Sequence, residues 1–269
     1  MGNNNIAKLQ KTLLDALVEF KKVCDKEGIV FYLRGGSVMG SVKYKGFVPW
    51  DDDVDIAIPR EQYEKMIDIL NDKVIAGKYK VVSYKYYPEI HCYFPRLFLL
   101  EEERTRLGLP SNTHMGLHLM DILPLDGAPN NSLLRNIYFA KVYALRYLSS
   151  LGTPYVKGHV NMHSKKQKFI INLGKFFQLH KIFPQVTVYN ILDRLYKKYD
   201  WRVQNYAGTI TASLFKKEVM KTEIWGKGKF LPFETEQFMV PELYDSYLKQ
   251  MYGENYLTEE PQNKKSHHE

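Results

Sequence analysis

The sequence predicts an α/β (α+β) protein: a mixed sheet with flanking helices over residues 1–127, followed by a basic, mostly helical half over residues 128–269. Three observations carry this. Up to residue 127, short apolar runs such as 29–33 and 54–58 alternate with stretches of helical period. After Gly127 those runs give way to longer segments that mix Phe, Ile and Leu with Lys and Arg. With 269 residues, 45% hydrophobic and 25% charged, the chain can bury a core unaided. Disordered, collagenous and coiled-coil classes are excluded by that composition. Two cysteines, Cys24 and Cys92, exclude a disulfide scaffold and an all-cysteine zinc site, and as reduced thiols they suit the cytosol. The start, MGNNNIAKLQ, has no basic stretch leading into an apolar one, so no signal peptide is expected. No run reaches ~18 uncharged apolar residues, so no spanning helix is expected either.

The elements follow in order. Ile6, Leu9, Leu13, Leu17, Phe20 and Cys24 recur at spacings of three and four, which predicts an amphipathic helix over 6–25 ended by Gly28. A buried strand is expected over 29–33, then a tight Arg34-Gly35-Gly36-Ser37 turn and a short helical piece holding Val38, Met39 and Val42. A second strand centres on Val54, Ile56 and Ile58, closed by Pro59. A helix over 60–75 turns Tyr63, Met66, Ile67 and Leu70 inward. Further strands are expected over 79–84, 91–100 and 117–123, the last ended by Pro124. Residues 132–150 form a helix apolar on nearly every side, broken by Arg135, Lys141 and Arg146. Residues 165–183 and 186–199 also read as helical.

The densest chemical signal is Gly35-Gly36-Ser37 followed by Asp51-Asp52-Asp53-Val54-Asp55. Two glycines at a strand end let backbone N–H groups approach a ligand, and a helix starting there adds its dipole, a combination suited to phosphate. Ser37 adds a hydroxyl donor. In a strand, residues two apart share a face, so Asp53 and Asp55 point together while Val54 and Ile56 enter the core. Two such carboxylates repel unless a cation lies between them, and oxygen ligands beside a phosphate cradle suit Mg²⁺, with Mn²⁺ as the alternative ion. An EF-hand fails, because counting from Asp51 the sixth and twelfth positions are Ile56 and Gln62. Asp121 sits in an apolar run where a lone carboxylate is costly to bury, and a strand in register with Asp53 and Asp55 would make it the third acid.

These residues carry a resemblance. Arg34-Gly35-Gly36-Ser37, Gly40-Ser41-Val42-Lys43, the run from Gly46 through Pro49-Trp50-Asp51-Asp52-Asp53-Val54-Asp55-Ile56, and Arg60-Glu61-Gln62-Tyr63 resemble the signature of the LicD family. That family is named for phosphorylcholine transferases and is related to fukutin-type sugar-phosphate transferases. His118 to Asp126 resembles its next block; Phe233-Glu234, Val240-Pro241, Tyr247-Leu248 and Tyr252-Gly253, running on towards Pro261 and His267, resemble its C-terminal block. The likeness spans about residues 29–127 and 225–268 and leaves the basic middle unmatched. Ser37 stands where Thr is commoner, and Lys43-Tyr44 where Arg-His is usual; Lys keeps the charge but not the bidentate grip on phosphate.

The resemblance implies a nucleotidyltransferase-like catalytic core over 1–127, with the second half completing the site and meeting the acceptor or a membrane. It implies that Gly35, Gly36 and Ser37 hold nucleotide phosphates and that Asp53, Asp55 and Asp121 hold the metal, with Asp121 also a candidate base. Lys43 and Arg96 are candidates to steady the phosphates. The expected reaction moves phosphocholine from CDP-choline to a sugar hydroxyl of a cell-surface glycan such as teichoic acid, by in-line attack with CMP leaving. CDP-ribitol and CDP-glycerol are the alternative donors, and nucleotidyl transfer the alternative reaction. Twenty Tyr, with Trp50, Trp201 and Trp225, provide rings enough for a cage around choline.

Charge divides the chain unevenly. The whole carries +8, but residues 130–202 hold thirteen Lys and Arg against Asp193 and Asp200, a net of +11, leaving about −3 elsewhere. An anionic partner is the natural reading. Lys165, Lys166, Lys168, Lys175 and Lys181, interleaved with Phe169, Ile170, Leu173, Phe176 and Phe177, fit either an interfacial helix on an anionic membrane or a helix whose apolar residues pack on the catalytic half while the lysines face water. The first is consistent with a cytoplasmic enzyme working at the inner face on a lipid-linked acceptor. A nucleic-acid-binding module is disfavoured, since three acids facing a groove repel a phosphate backbone unless metal is bound.

Overall fold

The computed structural model describes residues 3–151 and 179–259. Helix α1 (Asn3–Glu27) buries Leu9, Leu13, Leu17, Phe20 and Cys24 along one stripe, as the spacing predicts. Gly28, at φ +65°, ends it, letting the Ile29 N–H reach back to the Cys24 carbonyl at 2.8 Å. The chain then enters β1 (Tyr32–Leu33), α2 (Gly35–Met39) and a π-helical turn (Gly40–Tyr44) closed by Lys45 at φ +60°. Strand β2 (Val54–Pro59) leads directly into α3 (Arg60–Leu70). Next come β3 (Val74–Ile75), β4 (Tyr79–Val82), β5 (Arg96–Leu99), α4 (Glu101–Leu107) and the long β6 (His118–Ala128).

The strands form one mixed sheet in the order β1-β2-β6-β5-β4-β3. Among the described strands only β2 and β6 run parallel, from Val54 opposite Met120 to Pro59 opposite Leu125; β5 flanks β6 antiparallel on its other side. Apolar side chains of α1, α3 and these strands share one core, so the expected mixed sheet with flanking helices is present. The second half contributes α5 (Ser132–Leu151), α6 (Leu179–Ile182), α7 (Gln185–Tyr196) and α8 (Tyr244–Tyr252). It also adds β7 (Tyr206–Gly208) and β8 (Val219–Lys221), which extend the sheet from the far end of β6, and a separate hairpin of β9 (Lys229–Phe233) and β10 (Glu236–Val240). α5 and α7 pack Tyr138, Phe139, Val142, Val188, Leu192 and Tyr196 into a second core beneath β4 and β5.

Several boundaries differ from the sequence reading, each for a local reason. The strand expected to stop at Pro124 continues to Ala128. The Ile122 N–H bonds the Pro95 carbonyl on the β5 side, so Pro124, two residues on, turns its missing donor to that same side, beyond the end of β5. The helix over 60–75 stops at Leu70, because Asp72 and Ala76 adopt positive φ and Val74–Ile75 turns back to pair with β4. Gly35 and Gly36 open α2 themselves instead of preceding it. The strands over 29–33, 79–84 and 91–100 are shorter than expected. Of the segment 165–183, residues up to 178 lie outside the described residues, together with Lys165, Lys166, Lys168 and Lys175. Among the described residues no helix is long and apolar enough to cross a membrane.

Candidate active site

Sheet register builds the site. In the parallel β2–β6 pair Asp55 lies opposite Asp121, and in the antiparallel β5–β6 pair Arg96 lies opposite the same Asp121. Residues paired in register point to one face, so Arg96, Asp121 and Asp55 form a row across three strands, with Asp53 immediately before β2. All four line a cavity of about 770 Å³, a size typical of small-molecule sites. Gly35, Gly36, Ser37 and Lys43 line it too, so every site residue read from the sequence reaches one cavity.

The carboxylates are held in opposite electrostatic states. Burial, then repulsion from Asp55, Asp121, Asp51 and Asp52, pushes the Asp53 carboxyl well above its ordinary value. Burial also works to raise Asp121, but Arg96 Nε at 2.8 Å and His118 Nε2 at 3.4 Å outweigh it and hold Asp121 below the usual carboxylate range. Asp121 therefore stays ionised. Asp55 is gripped by Arg34 Nη1 at 2.9 Å, and Arg34 in turn meets Glu218 Oε2 at 2.5 Å. Thr209 Oγ1 donates to that same Glu218 oxygen. Arg34 and Glu218 are both buried, so this relay from the turn just before β8 fixes the Asp55 carboxylate from behind.

The Gly-Gly-Ser segment is more committed than its sequence suggests. The Gly35 N–H donates to Tyr247 Oη at 2.8 Å and the Ser37 N–H to the Arg34 carbonyl at 3.1 Å, so two of the three amides are already used. Ser37 Oγ accepts the Asp55 N–H at 3.1 Å, which leaves the hydroxyl its own proton to donate into the cavity. Gly35 needs its positive φ of +53°. A Cβ at Gly36 would lie 2.6 Å from Asp51 Oδ2, so the small residue there also makes room for Asp51. Lys43 Nζ bonds the Glu259 carbonyl at 3.2 Å and meets no carboxylate among the described residues.

No three His, Cys, Asp or Glu side chains among the described residues form a ready-made metal-ligand set. The residues still fit a divalent cation of the Mg²⁺ type, which uses one or two carboxylates and completes its shell with water and substrate phosphate. Asp53 and Asp55 supply that pair, and the upward push on Asp53 marks the negative charge a cation would relieve.

Other residues also line the cavity; the sequence reading named Trp50 among the rings for a cage but singled out none of the others as site residues. Tyr44 and Trp50 meet edge to face, with ring centroids 6.4 Å apart, and Phe94, Tyr252 and Tyr256 add further rings. Arg146 of α5, Thr211, Ser213 and Glu218 come from the second half. Arg146 was visible only as a break in an apolar helix, and nothing local marks Glu218, which meets Arg34 across 184 residues.

Comparison with known proteins bears on the resemblance directly. Residues 28–94 match the LicD/FKTN/FKRP nucleotidyltransferase domain. The LicD resemblance is borne out. The matched segment runs from the end of α1 through α2, β2 and α3, and so contains the Gly-Gly-Ser turn and the Asp53-Val-Asp55 pair. A lipopolysaccharide cholinephosphotransferase, LicD, of Haemophilus influenzae is 24% identical over 262 residues, 96% of this chain and 94% of that protein. The likeness therefore extends through the second half, including the wall that carries Arg146 and Glu218.

Proposed function

We propose that this chain is a metal-dependent transferase that moves phosphocholine from CDP-choline to a hydroxyl of a cell-surface glycan such as teichoic acid, releasing CMP. One observation carries the reading: Asp55 and Asp121 face each other in register, beside Asp53, in the cavity that also receives Ser37 and Lys43. The likeness to a cholinephosphotransferase over nearly the whole chain supports phosphocholine as the transferred group.

The roles follow from the side chains. Ser37 donates its hydroxyl proton to a donor phosphate, and Lys43, tied to no carboxylate among the described residues, offsets diphosphate charge. Asp53 and Asp55 would hold Mg²⁺ or Mn²⁺, which when bound neutralises phosphate charge and orients the diphosphate. Asp121, ionised and held at Oδ1 by Arg96 Nε, keeps Oδ2 as acceptor for the proton of the attacking sugar hydroxyl. The tyrosine and tryptophan rings provide faces for a quaternary ammonium. A basic second half and a lipid-linked acceptor suggest work at the cytoplasmic membrane face.

The deciding assay offers CDP-choline, CDP-ribitol and CDP-glycerol separately with Mg²⁺ and measures CMP. Release from CDP-choline alone supports the reading. Release from another donor alone moves the activity to that alcohol, and pyrophosphate formed from CTP would instead make the chain a nucleotidyltransferase.

A further inference from the structure

The charges that line the cavity do not balance evenly. Arg34 is neutralised by Asp55 and Glu218, and Arg96 by Asp121. Lys43 and Arg146 meet no carboxylate among the described residues. Lys43 lies in the π-helical turn after α2 and belongs with the donor phosphates. Arg146 lies elsewhere. Its Nη1 donates to the Ile210 carbonyl at 3.3 Å and the Ala212 carbonyl at 2.9 Å, and its guanidinium stands 5.5 Å from the Phe215 ring centre. Those bonds straddle Thr211 and fix a half-buried cation at the cavity wall without neutralising it.

Thr211 supplies the second, independent observation. It is only 6% exposed and lines the cavity, yet its Oγ1 is buried with no hydrogen-bond partner. A buried hydroxyl left unpaired is costly, so the group is poised for a partner that enters with a ligand. Ser213, two residues on, lines the same wall. An unneutralised guanidinium beside hydroxyl donors matches an oxyanion, and guanidinium geometry favours phosphate.

We infer that Arg146, Thr211 and Ser213 form an oxyanion subsite that receives a phosphate group on the acceptor, so that the enzyme acts on a phosphorylated glycan. The inference rests on the donor reading above only in assigning the phosphate to the acceptor; the subsite itself does not depend on it. The Ile210–Ala212 segment that holds Arg146 follows directly on Thr209, which bonds Glu218 behind the Arg34–Asp55 pair. The subsite therefore adjoins the row in which Asp55 lies opposite Asp121, the proposed acceptor for the proton of the attacking hydroxyl. A neutral sugar would leave the Arg146 charge without a counter-charge, whereas a phosphate one or two bonds from the hydroxyl would orient it.

The test uses the full chain, inorganic phosphate as probe, and isothermal titration with and without CDP-choline. Phosphate should bind the wild type and bind equally well when CDP-choline is already present. Thr211→Val, which keeps shape and removes the hydroxyl, and Arg146→Gln should each weaken phosphate roughly ten-fold, as expected for a lost charge-assisted bond, while CDP-choline affinity stays within two-fold. Melting temperatures report whether Arg146→Gln still folds, and Thr211→Val carries the test if it does not. Absent phosphate binding, or binding indifferent to Thr211→Val, overturns the subsite. Loss of CDP-choline affinity in parallel with phosphate, or competition between the two, gives the site to the donor and overturns the acceptor assignment. A wild type that binds phosphate but not CDP-choline sinks the donor reading and leaves the subsite standing.

Discussion

Burial, and after it four neighbouring acids, push the Asp53 carboxyl upward, and the proposed cation would relieve that repulsion. Asp53→Asn should therefore separate stability from function. It removes repulsion, so thermal unfolding should keep or exceed the wild-type midpoint in metal-free buffer, while CMP release falls by orders of magnitude; a midpoint lowered by several degrees would contradict the repulsion. Glu218 behaves oppositely. Glu218→Ala withdraws one partner from buried Arg34 and should cost about 3 kcal/mol in denaturant unfolding, whereas a loss below about 1 kcal/mol would make the relay decorative. Burial also raises the Cys92 thiol to about 11, and the Cys24 thiol further still. Native protein at pH 8 should react slowly with a thiol reagent at both positions, rapid labelling of either being the contrary result. At this scale legibility follows sequence distance. Asp53, Asp55 and Ser37 could be read because their chemistry is local, whereas the contact that disciplines Asp55 is made by residues 184 positions apart.

Arg60, the first residue of α3, braces the elements around the site. Its Nε and Nη2 hold the Asp126 carboxylate at 2.6 and 2.5 Å near the end of β6, while Nη1 reaches Glu64 at 3.0 Å and Asp193 of α7 at 3.2 Å. One side chain thus joins β6, α3 and α7. Arg60→Met should destabilise the fold by about 3–5 kcal/mol, because Asp126 is buried and would lose its neutralising partner. Adding Asp126→Leu should restore most of that loss; a double variant as unstable as the single one would locate the effect in packing. The Arg60-Glu61-Gln62-Tyr63 motif was legible, but its task was not, since Asp126 and Asp193 arrive through β6 and α7. Element ends fared similarly. Pro124 reads as a stop in any one-dimensional rule and is tolerated because the neighbouring strand has already ended on its donor side.

At the scale of the molecule, the sequence separates a near-neutral first half from a stretch of +11 over residues 130–202, and the cavity lies where the two meet. Arg146 is the one cation of that stretch, among the described residues, that lines the cavity, so the other described cations of the stretch act elsewhere. On α5, Leu133, Leu134, Ile137 and Tyr143 stand exposed near Arg135 and Lys141, and Ile182 and Phe183 are exposed beyond the segment 152–178. Apolar side chains interspersed with lysines, with no acid between Asp126 and Asp193, suit the headgroup region of an anionic leaflet, where each Lys is worth about 1 kcal/mol. The full chain should sediment with vesicles containing anionic lipid and do so less as salt rises. Changing Lys165, Lys166 and Lys168 to Glu shifts the local charge by six and should release the protein while CMP formation with a small soluble acceptor continues. Independent loss of membrane binding in Leu133→Ser with Leu134→Ser would add the apolar arm. Wild-type protein that ignores anionic vesicles, or a charge reversal that leaves sedimentation unchanged, would confine the basic stretch to a solvated surface and remove its support for the proposed lipid-linked acceptor.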